Sequence, residues 1–204
     1  MDLPNEIIRE ICDRPELERE DLRSLRLTSN HLRESASDHF SEDCFSEITI
    51  LMTRPSLKAF IELSQHLSFG PAVQEISFSA MLAPYDDTNF RAPLSLETME
   101  SLEKRCRMER ALMMDGDAEQ MLSVAFKAFA QREQPFSLHV CDSEGNVIGA
   151  RGLLLDKCFG ENLVWHTDWR STIERTIRAV TTHSCKVNQL CIEETFERIQ
   201  SLHR

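Results

Sequence analysis

Four short segments with alternating apolar residues constrain the fold of this chain more than any other feature of its sequence. Their apolar pairs are Ile48 and Ile50, Ile76 and Phe78, Leu138 and Val140, and Leu190 and Ile192. Alternation with a period of two is typical of a β-strand that has one buried face. Much of the sequence between these segments has apolar residues at helical spacing instead. The sequence therefore predicts a chain in which strands alternate with helices.

The predicted helices are bounded by residues that commonly begin or end a helix. After the first strand, apolar positions from Leu57 to Leu67 keep helical spacing until Gly70 and the following proline end the pattern. Further helical patterns cover 96–113, 117–129 and 173–180. The segment 147–156 is compatible with either a β-hairpin or a short helix, and we favour the helix.

The strand and helix units recur at intervals that suggest an internal repeat. Ile76 lies 28 residues after Ile48, which is within the range of leucine-rich repeats, whereas the next two intervals are 62 and 52 residues. We therefore expect an irregular, leucine-rich-repeat-like α/β solenoid over residues 41–204, in which each unit buries its apolar face against its neighbours. Apolar residues at 196, 199 and 202 suit a capping helix, and the alternative is a shortened repeat array.

The first forty residues have a different pattern, which is helical throughout. Pro4 suits the first turn of a helix, and Glu6 suits the positive end of the helix dipole. Ser29 is placed to cap a later helix. The apolar positions of the first two helices are Leu3, Ile7, Ile8, Ile11, Leu22 and Leu25. Residues 1–40 are therefore predicted to form three short helices.

The order of these residues resembles the F-box over residues 1–40. The matching positions are Leu-Pro at 3–4, Glu-Ile-Ile-x-x-Ile at 6–11, Asp-Leu at 21–22, Leu-Arg-Leu-Thr-Ser at 25–29 and Leu-Arg at 32–33. In that family the unit binds a Skp-type adaptor, which links the F-box protein to a cullin ubiquitin ligase. The resemblance implies that adaptor contacts lie at or beside Leu3, Pro4, Ile7, Ile8, Ile11, Leu22 and Leu25. Of these we expect Leu3, Pro4 and Ile8 to make exposed contacts.

Two other interpretations of residues 1–40 stay open. Apolar spacing alone is also compatible with the core of any small helical domain. Helices of this length also occur in helix-turn-helix DNA-binding proteins, but the segment has six Arg against ten Asp and Glu residues. Such a surface is poorly suited to phosphate, which disfavours the DNA-binding interpretation.

Residues 56–80 carry a second resemblance, to the segment that follows the F-box in many fungal F-box proteins. The matching residues are Leu-Lys-Ala-Phe at 57–60, Phe-Gly-Pro at 69–71 and Ile-Ser-Phe at 76–78. In those proteins the segment leads into leucine-rich-like repeats that hold the substrate. The two resemblances imply a receptor that recruits an unknown protein substrate to a cullin (SCF-type) ubiquitin ligase and has no catalytic activity of its own. A non-degradative scaffold bound to the adaptor is the main alternative, and an intracellular hydrolase is a distant one.

Charge and hydropathy restrict the partners and the compartment that we expect. The chain has 23 Lys and Arg against 34 Asp and Glu residues, and its net charge of −11 repels phosphate backbones, so no nucleic-acid partner is expected. No apolar run approaches the ~18 residues of a membrane span, and the acidic N-terminus has no signal-peptide core. Seven scattered cysteines suit reduced thiols. We expect a cytoplasmic or nuclear protein that does not bind membranes.

Few residues suggest metal or catalytic chemistry. Candidate zinc ligands are the pairs His139 with Cys141 and His183 with Cys185. Their spacing is not that of a known zinc finger, and on a strand His139 points away from the apolar face, so we favour a surface pair. The acidic segment 115–117 lacks the later ligands of a calcium loop. A thiol enzyme using Cys141 or Cys158 with His166 has no local signature. We expect no metal and no cofactor.

One aromatic pair is a candidate partner contact. Trp165 and Trp169 flank His166 and Asp168. Large aromatic side chains beside polar groups are typical of binding hot spots, although burial in a core is the favoured alternative. The acidic composition would in turn suit a basic substrate.

Overall fold

The structure, a computed structural model, describes most of the chain. The described residues are 4–12, 14, 17–79, 81–82, 100, 104, 107–108, 111–141, 166–167 and 169–192. Within them the chain is mixed α/β, mostly helical, with a small parallel sheet. The α/β class predicted from the sequence is confirmed. No helix in these ranges is long and apolar enough to cross a membrane.

The described elements are numbered in chain order. The helices are α1 (Asn5–Cys12), α2 (Arg19–Thr28), α3 (Asn30–Ser35), α4 (Ser37–Phe45), α5 (Arg54–Gln65), α6 (Asp117–Arg132) and α7 (Trp169–Thr182). The strands are β1 (Glu47–Leu51), β2 (Glu75–Ser79), β3 (Met81–Leu82), β4 (Phe136–Cys141), β5 (His166–Thr167) and β6 (Val187–Ile192). A short 3-10 turn covers Gly70–Ala72, and residues 111–114 are helical.

Helices α1 to α4 form a small bundle with its own core. The buried apolar side chains of this bundle core are Ile8, Cys12, Leu22 and Ala36, and Leu25, Leu32 and Phe40 pack against them. Ser29 Oγ accepts a hydrogen bond from the Leu32 amide at 3.2 Å, so the predicted helix cap is confirmed. The predicted third helix is instead two helices. The chain turns at Ala36, which is fully buried in the bundle core, before α4 begins.

Strands β1, β2, β4 and β6 form one parallel sheet in chain order. The register places Ile48, Ile76, Leu138 and Leu190 in one row and Ile50, Phe78, Val140 and Ile192 in another. The four strands predicted from the sequence are therefore confirmed, and their apolar positions are equivalent in space. A separate antiparallel pairing joins β3 to β5, which the sequence did not predict.

Helices α5, α6 and α7 pack on the apolar side of this sheet and form the main core with it. Aromatic rings occupy the centre of this core. The ring centroid of Phe60 lies 5.6 Å from that of Phe126 and 5.7 Å from that of Phe129, and such pairs stabilise the fold beyond their buried area. The apolar side of β6 is only partly covered, since Leu190 and Ile192 are 49% and 47% exposed.

Helix α5 begins as the sequence predicts but ends earlier. Thr53 caps its N-terminus by accepting a backbone N–H, and Pro55 lies in its first turn. The pattern predicted through Leu67 stops at Gln65, because His66 Nδ1 accepts two backbone N–H groups of the following turn at 3.2 and 3.1 Å. Leu67 is consequently 89% exposed in that turn.

An aromatic junction, formed by Arg26, Phe40, Phe45 and Phe69, joins the bundle to the sheet. The ring centroids of Phe45 and Phe69 are 4.8 Å apart, and those of Phe40 and Phe69 are 6.0 Å apart. The Arg26 guanidinium lies 4.0 Å from the centroid of Phe40 and 5.0 Å from that of Phe69, which is a cation–π arrangement. Burial lowers the pKa of Arg26. The bundle core and the main core therefore meet through these four side chains.

Some predictions fall outside the described residues. They concern Leu3, Trp165, the segment 147–156 and the capping helix at 196–202. The helix predicted at 96–113 is described only in part.

Candidate functional site

Two surfaces carry residues suited to binding, and the first is the outer face of α1. Pro4, Ile7 and Ile11 lie at helical spacing on this face, which we call the α1 stripe. Pro4 is exposed, Ile7 is 42% exposed and Ile11 is half-buried. The Pro4 carbonyl accepts the amides of Ile7 and Ile8 at 3.1 and 3.2 Å, so the proline sits in the first turn as predicted. The stripe is an apolar surface on the outside of a small bundle.

The other residues predicted to contact the adaptor lie deeper. Ile8 is 2% exposed and belongs to the bundle core with Leu22, so the expectation of an exposed contact at Ile8 is wrong. The reason is the helical period, because α1 turns Ile8 and Cys12 inward and the α1 stripe outward. Leu25 is half-buried beside the same core. Leu27 on α2 is an exposed apolar residue that the predicted site omitted, although it lies within the F-box-like motif.

The second surface is the side of the sheet opposite the helices, which we call the polar sheet face. One row contains Glu47, Glu75, Ser137 and Gln189, and the next contains Thr49, Ser77, His139 and Cys191. These residues alternate along each strand with the apolar positions, so they share one side of the sheet. The sequence placed His139 away from the apolar side but did not predict its neighbours on the other strands.

Charged and polar side chains interact in the middle of the polar sheet face. His139 Nε2 lies 3.6 Å from Glu75 Oε2, and the two side chains are 23% and 33% exposed. Ser77 Oγ donates to the other carboxylate oxygen of Glu75 at 3.5 Å. Glu47 is the register partner of Glu75 on β1. The face is therefore acidic over β1 and β2, and it carries an imidazole and a thiol over β4 and β6.

The sheet keeps the two predicted His-x-Cys pairs apart. His139 lies on the polar sheet face, whereas His183 Nε2 lies 2.6 Å from Ser123 Oγ of α6, which covers the apolar side. Cys185 Sγ donates to the Phe126 carbonyl, also of α6, at 3.3 Å. Across the ranges that the structure describes, no group of three or more His, Cys, Asp and Glu side chains is arranged to hold a metal ion.

The described thiols differ in their surroundings. Cys12, Cys44, Cys185 and Cys191 are not in disulfides. Burial raises the pKa of the Cys44 thiol, and the neighbouring Asp43 raises it further. Burial also raises the pKa of Cys185. Since the thiolate is the reactive form, both side chains are expected to be weak nucleophiles near neutral pH.

The tryptophan pair is described only at Trp169, whose backbone begins α7, and Trp165 lies outside the described residues.

Comparisons of this chain with protein-family models, with curated proteins and with solved structures find no match. The α1 stripe and the polar sheet face are therefore characterised by their own residues and geometry alone.

Proposed function

We propose that this chain is the substrate receptor of an SCF-type ubiquitin ligase. In this proposal residues 1–40 act as an F-box that binds a Skp-type adaptor and, through it, a cullin, while residues 41–204 bind a protein substrate. The observation that carries the proposal is an apolar stripe on the outside of a helical bundle whose residues have F-box spacing. In this role the chain performs no catalytic step. It acts in the cytoplasm or in the nucleus.

The α1 stripe supports the adaptor interface. Among the described residues, the buried apolar core of the bundle contains four side chains, which is small for independent stability, and a permanent partner would add buried area. Exposed apolar groups such as Pro4 and Ile7 are suited to that contact. In the F-box resemblance the Leu-Pro start and the first helix face the adaptor. Ile8 and Leu22 would act indirectly, by holding α1 in its position.

The parallel sheet supports the substrate-binding half of the proposal. The four strands follow one another in chain order, their apolar positions are in register, and the helices pack on one side of the sheet. This arrangement is compatible with an irregular leucine-rich-like solenoid. We assign substrate binding to the polar sheet face. Glu47 and Glu75 are neighbours there and would attract a basic segment of the substrate, in keeping with the net charge of −11.

The adaptor interface is tested by co-purification of the full chain with a Skp-type adaptor. Ile7→Lys places a charge in the α1 stripe without opening the bundle core, so adaptor binding should fall at least about tenfold, as for an interface hot spot. Leu67→Lys is the matched control, because it makes the same kind of change at an exposed site far along the chain. Equal adaptor binding by Ile7→Lys and wild type would contradict the assignment.

A second measurement separates a ubiquitin-ligase receptor from an adaptor-bound scaffold. Proteins captured by the adaptor-bound chain are incubated with the complete ligase, and ubiquitin transfer to them is followed. If the chain is a ubiquitin-ligase receptor, ubiquitin is transferred to a captured protein, and this transfer is lost in the Ile7→Lys variant. Adaptor binding without transfer to any captured protein would favour the scaffold.

A further inference from the structure

The β6 edge, which we define as the side of Val187–Ile192 that faces away from β4, is the outer edge of the parallel sheet. Within the described ranges, β6 pairs with β4 alone and stands last in the strand order. Four of its six residues are exposed, namely Asn188, Gln189, Leu190 and Ile192. An edge strand presents a row of backbone N–H and C=O groups that can pair with a further strand. The β6 edge is therefore a candidate interaction surface.

The composition of β6 does not protect this edge. Natural proteins often place lysine, other charged residues or proline on an edge strand to block unwanted pairing. No residue of Val187–Ile192 is charged or a proline, although 28% of the whole chain is charged. At the opposite end of the sheet, β1 begins with the exposed Glu47. An uncharged strand can pair with its own copy without repulsion, whereas most surfaces of a chain with a net charge of −11 cannot.

We propose that the β6 edge pairs with the β6 edge of a second copy of this chain, in an antiparallel arrangement about a two-fold axis perpendicular to the sheet. Such an axis makes the interface self-complementary and closes it at two copies. It also keeps the apolar sides of the two sheets on one side, so that they form one continuous sheet. This contact is independent of the proposed ligase function.

The symmetry and the apolar positions together fix the register of the pair. Residues that lie opposite each other in an antiparallel pair point to the same side, so the axis passes through a residue. With the axis at Leu190, positions 188–192 overlap and Leu190 lies opposite Leu190 of the second copy. The side chains of Leu190 and Ile192 are about half exposed, because α7 contacts α6 and β4 and leaves β6 partly uncovered. The second copy covers part of this apolar surface.

A second copy fits the β6 edge better than the residues that follow β6 in the sequence. Their apolar positions, at 196, 199 and 202, have helical spacing, which suits a helix on the apolar side of the sheet. A helix cannot supply the row of backbone groups that an open edge needs, whereas another strand can. Two strands of six residues bury less than the ~800 Å² per partner of a standard interface. We therefore expect a reversible dimer with a micromolar Kd.

The test measures the molar mass of the full chain by sedimentation, from low micromolar to several hundred micromolar concentration. The mass should rise from that of one chain toward that of two, and hydrogen exchange in β6 should slow over the same range while exchange in β1 stays constant. A mass of one chain at every concentration would overturn the proposal. Slow exchange in β6 without a dimer would show that the chain itself covers the edge, and slow exchange in β6 only with a captured substrate would assign the edge to the substrate.

Two lysine variants locate the interface. Leu190→Lys places two ammonium groups opposite each other at the axis, and Gln189→Lys adds a charge on the other side of the same strand. Both positions are exposed, so the variants should keep the wild-type circular dichroism spectrum and thermal midpoint. Each should weaken dimerisation at least about tenfold. Leu67→Lys, at an exposed position outside the sheet, is the matched control and should dimerise as wild type does. Dimerisation of both β6 variants as strong as that of wild type would place the interface elsewhere and refute the proposal.

Discussion

Two adjacent isoleucines of α1 have opposite environments. Ile7 is 42% exposed on the α1 stripe, whereas Ile8 is 2% exposed in the bundle core. The helical period separates them, since consecutive residues point about 100° apart around the axis. One residue therefore suits contact with a partner, and the other holds the helix on the bundle.

This difference predicts unequal effects of the same substitution. Ile8→Ala leaves a cavity in the bundle core and should lower the free energy of unfolding by about 2–4 kcal/mol. Ile7→Ala removes a surface side chain, so the loss should stay below about 0.5 kcal/mol. Urea denaturation of the two variants measures the loss in the free energy of unfolding for each. A loss for Ile7→Ala as large as that for Ile8→Ala would show that the orientation of α1 is wrong.

Strand β2 is a central strand of the sheet. It pairs with β1 on one side and with β4 on the other. The ring centroid of Phe78 lies 5.9 Å from that of Phe60 in α5 and 6.1 Å from that of Phe126 in α6. Strand β4 and helix α6 come from later in the chain. One of the two strands that pair with β2, and one of the two helices that contact Phe78, are therefore supplied by sequence-distant units.

A chain truncated after residue 80 should therefore be poorly soluble. It would retain β1 and α5 but would expose the second edge of β2 and the apolar side around Phe78, which is a template for aggregation. Hydrogen exchange of any soluble fraction should be fast over residues 45–80, whereas the full chain should protect the same amides. A truncated chain that is monomeric and cooperatively folded would contradict the proposed solenoid.

In the whole molecule, the aromatic junction connects two cores that are otherwise distinct. Phe40 belongs to the bundle and Phe69 to the turn after α5, and Arg26 lies over both rings. The imidazole of His66 stacks on Phe69 with ring centroids 3.9 Å apart. Phe69 thus contacts the bundle through Phe40 and the α/β part through His66, so its ring helps to fix how the two parts are joined.

Phe69→Ala should weaken the coupling between the two parts. We expect a loss of about 2–3 kcal/mol in the free energy of unfolding and faster hydrogen exchange in α1 to α4 than in the sheet, because the bundle loses its contact with the main core. Leu67→Ala, in the same turn, should have little effect, since Leu67 is exposed. Exchange in the bundle that is equal in Phe69→Ala and wild type would show that the junction does not couple the parts.

The elements that could be predicted from sequence depend on signals within a few residues. Alternation over five or six residues was enough to identify β1, β2, β4 and β6. The cap at Ser29 and the start of α5 at Pro55 also depend on local hydrogen bonds and on restricted backbone angles. The end of α5 was missed because it depends on the orientation of the His66 ring, which apolar spacing does not report.

The sequence by itself thus determined the order of the four strands of the parallel sheet and of helices α5 to α7, and tertiary structure decided which residues face a partner or meet on the sheet. Leu190 and Ile192 have the same spacing as Ile76 and Phe78, yet they are about half exposed because β6 is an edge strand within the described residues. Similarly, only the register places Glu75, on β2, in one row with Ser137, on β4, and Gln189, on β6. The physical reason is that local periodicity sets which side of an element is apolar, whereas packing between sequence-distant elements sets what covers that side and which residues become neighbours.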